Sequence, residues 1–461
     1  MPTDSQGLAV SNADAAAIAA VDHALEEWLR YGDGLGAYIS FAREARDVPL
    51  VQLHAASLNL TMADPAAHAA ARGSIDAARG GLRGMNDRER AWLAAMSAWV
   101  DGEVDAAARG FDGIVADWPR DLFAAKLGQL LWFDLGAPDR MLRLSEVFLP
   151  ANAEIGYAHG MHAFALEECH RLAEAEEAGR RAVAMRRADP WAHHAVAHVM
   201  ETQGRIEEGV AWMEGLSDTW SSCNSFMSTH NWWHTALFHI DADRPERALA
   251  LFDSRVWGVW KEFCQDQINA VSLLARLELR GVDVGGRWRD VAAYLLPRLR
   301  EHYSPFLDLQ YLYGLARAGE AAAVTEMLAS LEDRAGRARP FEREAWVEAA
   351  VPAAHGLAAH ARGDWAAAAT LLGDAQPHLR AIGGSHAQRA LFGGLWLDAL
   401  IKAGWNDRAL AELLADDRAR GTVPRVKRDL AAIYERLGRA EEAMTARLRA
   451  DALSRRYRAA G

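Results

Sequence analysis

From Asp14 to Ala460 the chain places apolar residues at helical spacing in nearly every stretch, on a background of Ala, Leu, Glu and Arg. Alternating β-branched runs are absent, so the pattern predicts helix throughout. The breaks between amphipathic segments are regularly spaced. Gly102, Gly136, His170 and Gly204 open turns at intervals of 34 residues, the tetratricopeptide period. A small residue follows five positions after three of these turns (Ala107, Ala175, Gly209), where the second helix of a hairpin presses against the first. Later turns near Asp243, Gly319, Gly363, Gly404 and Gly438 are separated by 39, 76, 44, 41 and 34 residues, with Ala248, Ala368, Ala409 and Ala443 at the corresponding small position. The expected fold is all-α, a right-handed α-solenoid of tetratricopeptide-like helix hairpins. Stacked hairpins bury one another's faces only when neighbours are present, so residues 14–461 read as one superhelix of about nine hairpins. Insertions concentrate at 253–304, soft breaks fall at 215–228 and 281–287, and residues 1–13 read as a flexible lead.

In such a repeat the first helix lines the concave side. With the turn residue as position 15, positions 2, 5, 9 and 12 face inward. This register places Trp191, His194, His198 and Glu201 on one helix face, and Tyr157, Gly160, Phe164 and Glu167 on the preceding one. Earlier repeats add Glu89, Trp92, Met96 and Trp99, then Phe123, Lys126, Leu130 and Phe133; the Asp243 unit adds His230 and Trp233, with His234 one step away. His159, His162 and His193 fall toward the packing seams. The expected inner surface is aromatic and histidine-rich, which suits a small-molecule pocket or a peptide groove, although aromatics at helical spacing also build plain cores.

Composition narrows the classes. The 461 residues are 51% apolar, enough for a large interior, and Lys plus Arg against Asp plus Glu gives 51 − 63 = −12. That balance disfavours nucleic acid and anionic membrane surfaces. Cys169, Cys223 and Cys264 stand far apart without a CxxC pair, the start of the chain lacks a signal-peptide pattern, and no apolar window reaches ~18 residues, so a soluble cytoplasmic protein is expected.

Chemistry-bearing residues gather in two places. Nine of the 17 histidines lie between 159 and 239, and the HxxxH pairs His194/His198 and His230/His234 put two imidazoles on one helix face. Such pairs chelate zinc or another divalent metal, with Glu201 completing a ligand set or acting as a base. Three readings stay open: a metal site at His194, His198, His230 and His234; a metal-free acid/base pocket of the same residues and Glu201; and packing histidines. HExxH, Ser/His/Asp, GxSxG, P-loop and GxGxxG signatures are missing, and Cys223 is the one cysteine that merits testing as a nucleophile. The second place is Ile382 to Arg389. Gly383-Gly384 breaks a helix, Ser385-x-x-Gln388 is a capping box, and the new N-terminus with His386 and Arg389 could hold a carboxylate or phosphate.

Four segments, Trp191-Ala-His-His-Ala-Val-Ala-His-Val-Met-Glu-Thr-Gln-Gly-Arg-Ile-Glu-Glu-Gly, His230-Asn-Trp-Trp-His-Thr-Ala-Leu, Leu273-Leu-Ala-Arg-Leu-Glu-Leu-Arg-Gly-Val-Asp-Val-Gly-Gly-Arg-Trp and Ile382-Gly-Gly-Ser-His-Ala-Gln-Arg, together resemble the tetratricopeptide repeat protein 38 family over almost the whole chain. The resemblance implies a cytosolic α-solenoid and transfers no reaction. It singles out His194, His198, His230, Trp232, Trp233, His234, Arg287, Trp288, Ser385, Gln388 and Arg389, while Asn269 and Ala390 stand where acidic residues are expected. Two functions follow. One is a binding protein whose concave pocket takes a small molecule or peptide through Trp191, Trp233, Tyr157, Phe164, Glu167, Ser385, His386 and Arg389. The alternative is a hydrolase, metal-assisted or general-base, with His194, His198, His230, His234 and Glu201 as catalytic groups. A homodimer is compatible with apolar end caps, and the Arg-rich 440–461 tail reads as solvated.

Overall fold

The computed structural model describes residues 1–459. Among these, 24 α-helices follow one another and pair into twelve sequential hairpins, with two isolated bridges, Thr3 to Ala9 and Gly32 to Cys223, in place of any sheet. None of these helices is long and apolar enough to cross a membrane.

The hairpin turns are written in the backbone. Gly102, Gly136, His170, Gly204, Asp243, Gly319, Gly363, Gly404 and Gly438 all adopt positive φ, the left-handed conformation that ends a helix and reverses the chain. The small residues behind them are buried: Ala107, Ala175, Ala248, Ala368, Ala409 and Ala443. At Gly209 a Cβ would collide with the Phe238 ring, so that helix pair approaches too closely for even a methyl group. Three more hairpins than the nine expected are present: Ala15–Arg30 with Leu35–Glu44, Pro49–Leu60 with Pro65–Gly80, and Cys264–Glu278 with Arg287–Leu295. The first two turn at Tyr31 and Ala63, non-glycine residues with positive φ that leave no glycine signature.

The sequence reading expects one continuous superhelix; the contacts sort the chain into two compact units, residues 1–196 with 219–227 and residues 197–218 with 228–461. The division crosses the Pro190–Thr202 helix. In the first unit the expected flexible lead is packed. Val10 is fully buried, the Ser11 N–H donates to Glu89 Oε1 at 2.8 Å, and buried Arg88 bridges Asp4 (3.4 Å) and Asp121 (3.3 Å). The lead's polar residues read as solvated from sequence because their partners lie about 80 or more positions away.

The inward-facing stripe of the first unit is interior rather than an open groove. Trp92, Met96, Phe123, Lys126, Tyr157, Phe164, Glu167 and His194 are buried, and the Ala15–Arg30 helix meets three of them, Phe123, Lys126 and Tyr157. Trp28 stacks on Phe123 at 5.4 Å and Tyr31 on Trp191 at 5.2 Å. In the second unit the 440–461 tail is a helix, Ala440–Ala459, that buries Ala443, Ala446, Ala450, Ser454 and Tyr457 and exposes its arginines; the last two tail residues lie outside the described residues.

Candidate functional site

The second unit gathers four imidazoles from three helices. His198 comes from Pro190–Thr202, His230 and His234 from Ser225–Asp241, and His386 opens His386–Ala403. The ring of His234 lies 4.6 Å from that of His198 and 4.8 Å from that of His230, and His198 Nδ1 faces His386 Nε2 at 3.4 Å. The helix period explains the juxtaposition: i, i+4 residues share a face, and two such faces meet.

Polar neighbours fix two of the rings. His234 Nδ1 donates to Glu201 Oε2 at 3.2 Å. His230 Nδ1 donates to Asn269 Oδ1 at 3.0 Å, and Asn269 Nδ2 donates onward to Thr229 Oγ1, which donates to Asp266. Asn269, at a position where an acidic residue was expected, thus orients His230 as a neutral acceptor. In both rings the proton sits on Nδ1, leaving Nε2 as the basic nitrogen. Burial holds both rings well toward neutral, with His230 pushed down to about 4 and His234 lowered further by the imidazoles beside it. A neutral imidazole oriented by a carboxylate can accept a proton or ligate a metal.

Trp233 is buried. It stacks flat on His230 (5.2 Å, 8°) and carries the Arg276 guanidinium 5.2 Å above its ring, which assigns it to the packed interior. Arg276, which sequence reasoning did not single out, donates to Ala387 O at 2.7 Å and to Ser272 Oγ. Burial lowers it to about 10, against the attraction of Glu201.

The capping box forms as expected: the Gln388 N–H donates to Ser385 Oγ at 3.2 Å, and the Ser385 N–H to Gln388 Oε1 at 2.9 Å. Arg389 Nη1 turns back onto the carbonyls of Gly383 and Gly384, closing its own loop. Arg287 pairs with Asp253, Trp232 lies under Arg255, and Trp288 is buried.

His194 belongs to the first unit, stacked on Trp191 (4.6 Å) and against Phe164 (5.2 Å). Of the three seam histidines, His162 pairs its Nδ1 with Ser145 Oγ at 2.8 Å and the other two reach backbone. His159 Nε2 donates to Ala153 O at 2.9 Å and His193 Nε2 to Arg187 O at 2.7 Å, the same six-residue reach in consecutive repeats. Burial pushes the Cys223 thiol up to about 11, which keeps it protonated near neutral pH.

The first unit holds a cavity of about 590 Å³ that sequence reasoning missed except for Tyr157. Its floor is buried and largely apolar, from Leu25, Leu29, Leu122 and Tyr157. Its rim is polar. Tyr157 Oη donates to Glu26 Oε1 at 3.1 Å, Arg186 pairs with Glu26 and lies 4.7 Å from the Tyr157 ring, and Arg120 binds Glu154 at 2.8 Å. Sequence could not find it, because its lining residues on the helices Ala15–Arg30, Leu122–Asp134 and Gly156–Glu168 run from Asp22 to Tyr157, 157 − 22 = 135 positions.

The chain matches no family model. Among solved structures it is similar to IFIT1 in a monomeric mutant with Gppp-AAAA (12% identity, 94% of this chain and 99% of that one, TM-score 0.40). MamA (16%, 37% and 92%, TM-score 0.28) and the TPR domain of P58(IPK) (10%, 81% and 98%, TM-score 0.22) are further helical-repeat neighbours. With each of these scores below 0.5, the tetratricopeptide-type fold rests on this chain's own 34-residue period and left-handed turns.

Proposed function

We propose that this chain is a tetratricopeptide-type binding protein that takes a small molecule in the cavity of its first unit. The observation that carries this reading is the cavity itself: about 590 Å³, with a buried aliphatic floor and a polar rim. Pockets of ~300–1,000 Å³ with few, convergent polar groups are the usual shape of small-molecule sites. Much of the first unit's aromatic stripe is buried, which favours the cavity over a peptide groove.

The rim supplies the ligand's character. Asp22, Glu26 and Glu154 face Arg120 and Arg186, so the lining charge is 2 − 3 = −1. An apolar body ending in an amine fits best, its cation taking the place of Arg186 on Glu26. The test is ligand-observed NMR with a fragment library sorted into amines, acids and neutral molecules. Amines should dominate the hits. Tyr157→Phe, which deletes the hydroxyl bonded to Glu26, should weaken them, and exclusive binding of acids would overturn the assignment of charge.

A further inference from the structure

We infer that the second unit carries a serine nucleophile, Ser330, set to cleave carboxylic esters with His302 as its base and Asp308 behind that base. This stands independently of the first unit's cavity. His302 Nδ1 lies 2.6 Å from Asp308 Oδ2, and His302 Nε2 lies 2.6 Å from Ser330 Oγ. The carboxylate takes the Nδ1 proton, so Nε2 presents its lone pair to the hydroxyl. The connectivity is that of a nucleophile, its general base and the group that orients the base. Asp308 is buried and Ser330 half-buried, so the carboxylate lies at the inner end of the chain of bonds. Burial raises the Asp308 carboxyl, and the pull of His302 and Arg334 opposes it.

The fold sets the three groups together. Asp308 and Ser330 stand eleven residues before and after Gly319, the turn of the Pro305–Ala318 and Ala321–Gly336 hairpin, which puts them level on paired helices. His302 comes from the loop before Pro305 and holds a left-handed backbone, φ 49°, a conformation that recurs at functional sites. Its ring packs edge-on against Trp346 at 6.0 Å. Other helical hydroxyls of this unit, such as those of Ser254 and Thr325, are tied to the carbonyl four residues back, at 2.7 and 3.0 Å. Among the described residues the Ser330 hydroxyl bonds to His302 instead. Arg300 Nε donates to Glu326 Oε1 at 2.9 Å, one helical turn from Ser330, so a guanidinium stands near the nucleophile for a developing oxyanion.

In the reaction, Ser330 Oγ attacks the ester carbonyl carbon and passes its proton to His302 Nε2. The tetrahedral intermediate collapses with cleavage of the bond to the alcohol oxygen, which takes that proton. Water then attacks the acyl-serine, gives its proton to Nε2, and the acid leaves as Ser330 Oγ recovers the proton. Asp308 acts through His302 and is a positioning residue.

The experiment is labelling of the full chain with a fluorophosphonate, which phosphonylates an activated serine with loss of fluoride, read by mass spectrometry of the tryptic peptide 318–334. The expected result is label on Ser330 and not on Thr325, together with a burst of p-nitrophenol from p-nitrophenyl acetate. Ser330→Ala and His302→Ala should lose both signals. Asp308→Asn should slow labelling at least ~100-fold without changing the reagent concentration at half-saturation, and Asp308→Glu should recover part of the rate. Circular dichroism of each variant separates lost chemistry from lost folding. Absence of label on Ser330 in the folded wild type, or labelling that folded His302→Ala retains unchanged, would overturn the proposal.

Discussion

Asp189 offers a sharp test of how the first unit is built. It precedes Pro190 and caps the Pro190–Thr202 helix, its Oδ1 accepting from the Ala192 N–H at 3.0 Å. Its Oδ2 lies where a Cβ on Gly160 would meet it at 2.8 Å, so the glycine makes room for the carboxylate. Burial raises its pKa from 3.8 to about 6, against the pull of the Ala192 N–H and Lys126. Between these values the folded chain holds a proton that the unfolded chain has released, so stability falls as pH rises. A shift of about 2 units at ~1.4 kcal/mol each amounts to about 3 kcal/mol lost between pH ~4 and pH ~6. Lys126, pushed by burial well below 10.5, acts in the opposite sense on the alkaline side. Asp189→Asn keeps an acceptor for the cap and removes the titration. Urea unfolding of both proteins across this range should give similar stabilities near pH ~4 and a variant about 2–3 kcal/mol more stable near pH ~7. Parallel stability curves for the two proteins, or a variant less stable at neutral pH, would refute the reasoning.

Other expectations follow from packing. Gly209→Ala pushes a methyl group into the Phe238 ring and should cost about 1–3 kcal/mol in thermal unfolding, whereas Gly404→Ala, which meets nothing within 4 Å, should cost about 1–2 kcal/mol through its left-handed backbone alone. Trp233→Ala removes a fully buried indole from between His230 and Arg276 and should lose about 3–5 kcal/mol, visible as a lowered denaturation midpoint; a variant as stable as wild type would return Trp233 to a ligand-binding role. Deleting residues 1–10 strips Asp4 from buried Arg88 and uncovers the Val10 site, so the Asp87–Val100 helix should become sensitive to limited proteolysis.

The repeat was legible because its turns require a left-handed residue: seven of the nine turns it was read from carry a glycine, the first four of the nine stand at 34-residue intervals, and the amphipathic helices beside His170 and Asp243 located the other two. Turns made by Tyr31 and Ala63 carry the same φ without the mark, and their hairpins stayed hidden. The inward register was also legible, since His198, His230 and His234 do meet. Whether inward means groove or core was not, because closure depends on the Ala15–Arg30 helix reaching residues about 100 positions ahead. His386 joins His198 across 188 residues, and only its adjacency to a capping box drew attention to it. The cavity beside Tyr157 is a product of tertiary packing and has no local signature.

The most direct measurement is binding of the amine fragments to wild type and Met185→Trp. Met185 lines the cavity and is exposed, so an indole there blocks the mouth without disturbing the core. Saturation-transfer signals should be present for wild type and absent for a folded Met185→Trp. Equal signals from both proteins would place the ligand elsewhere and contradict the account.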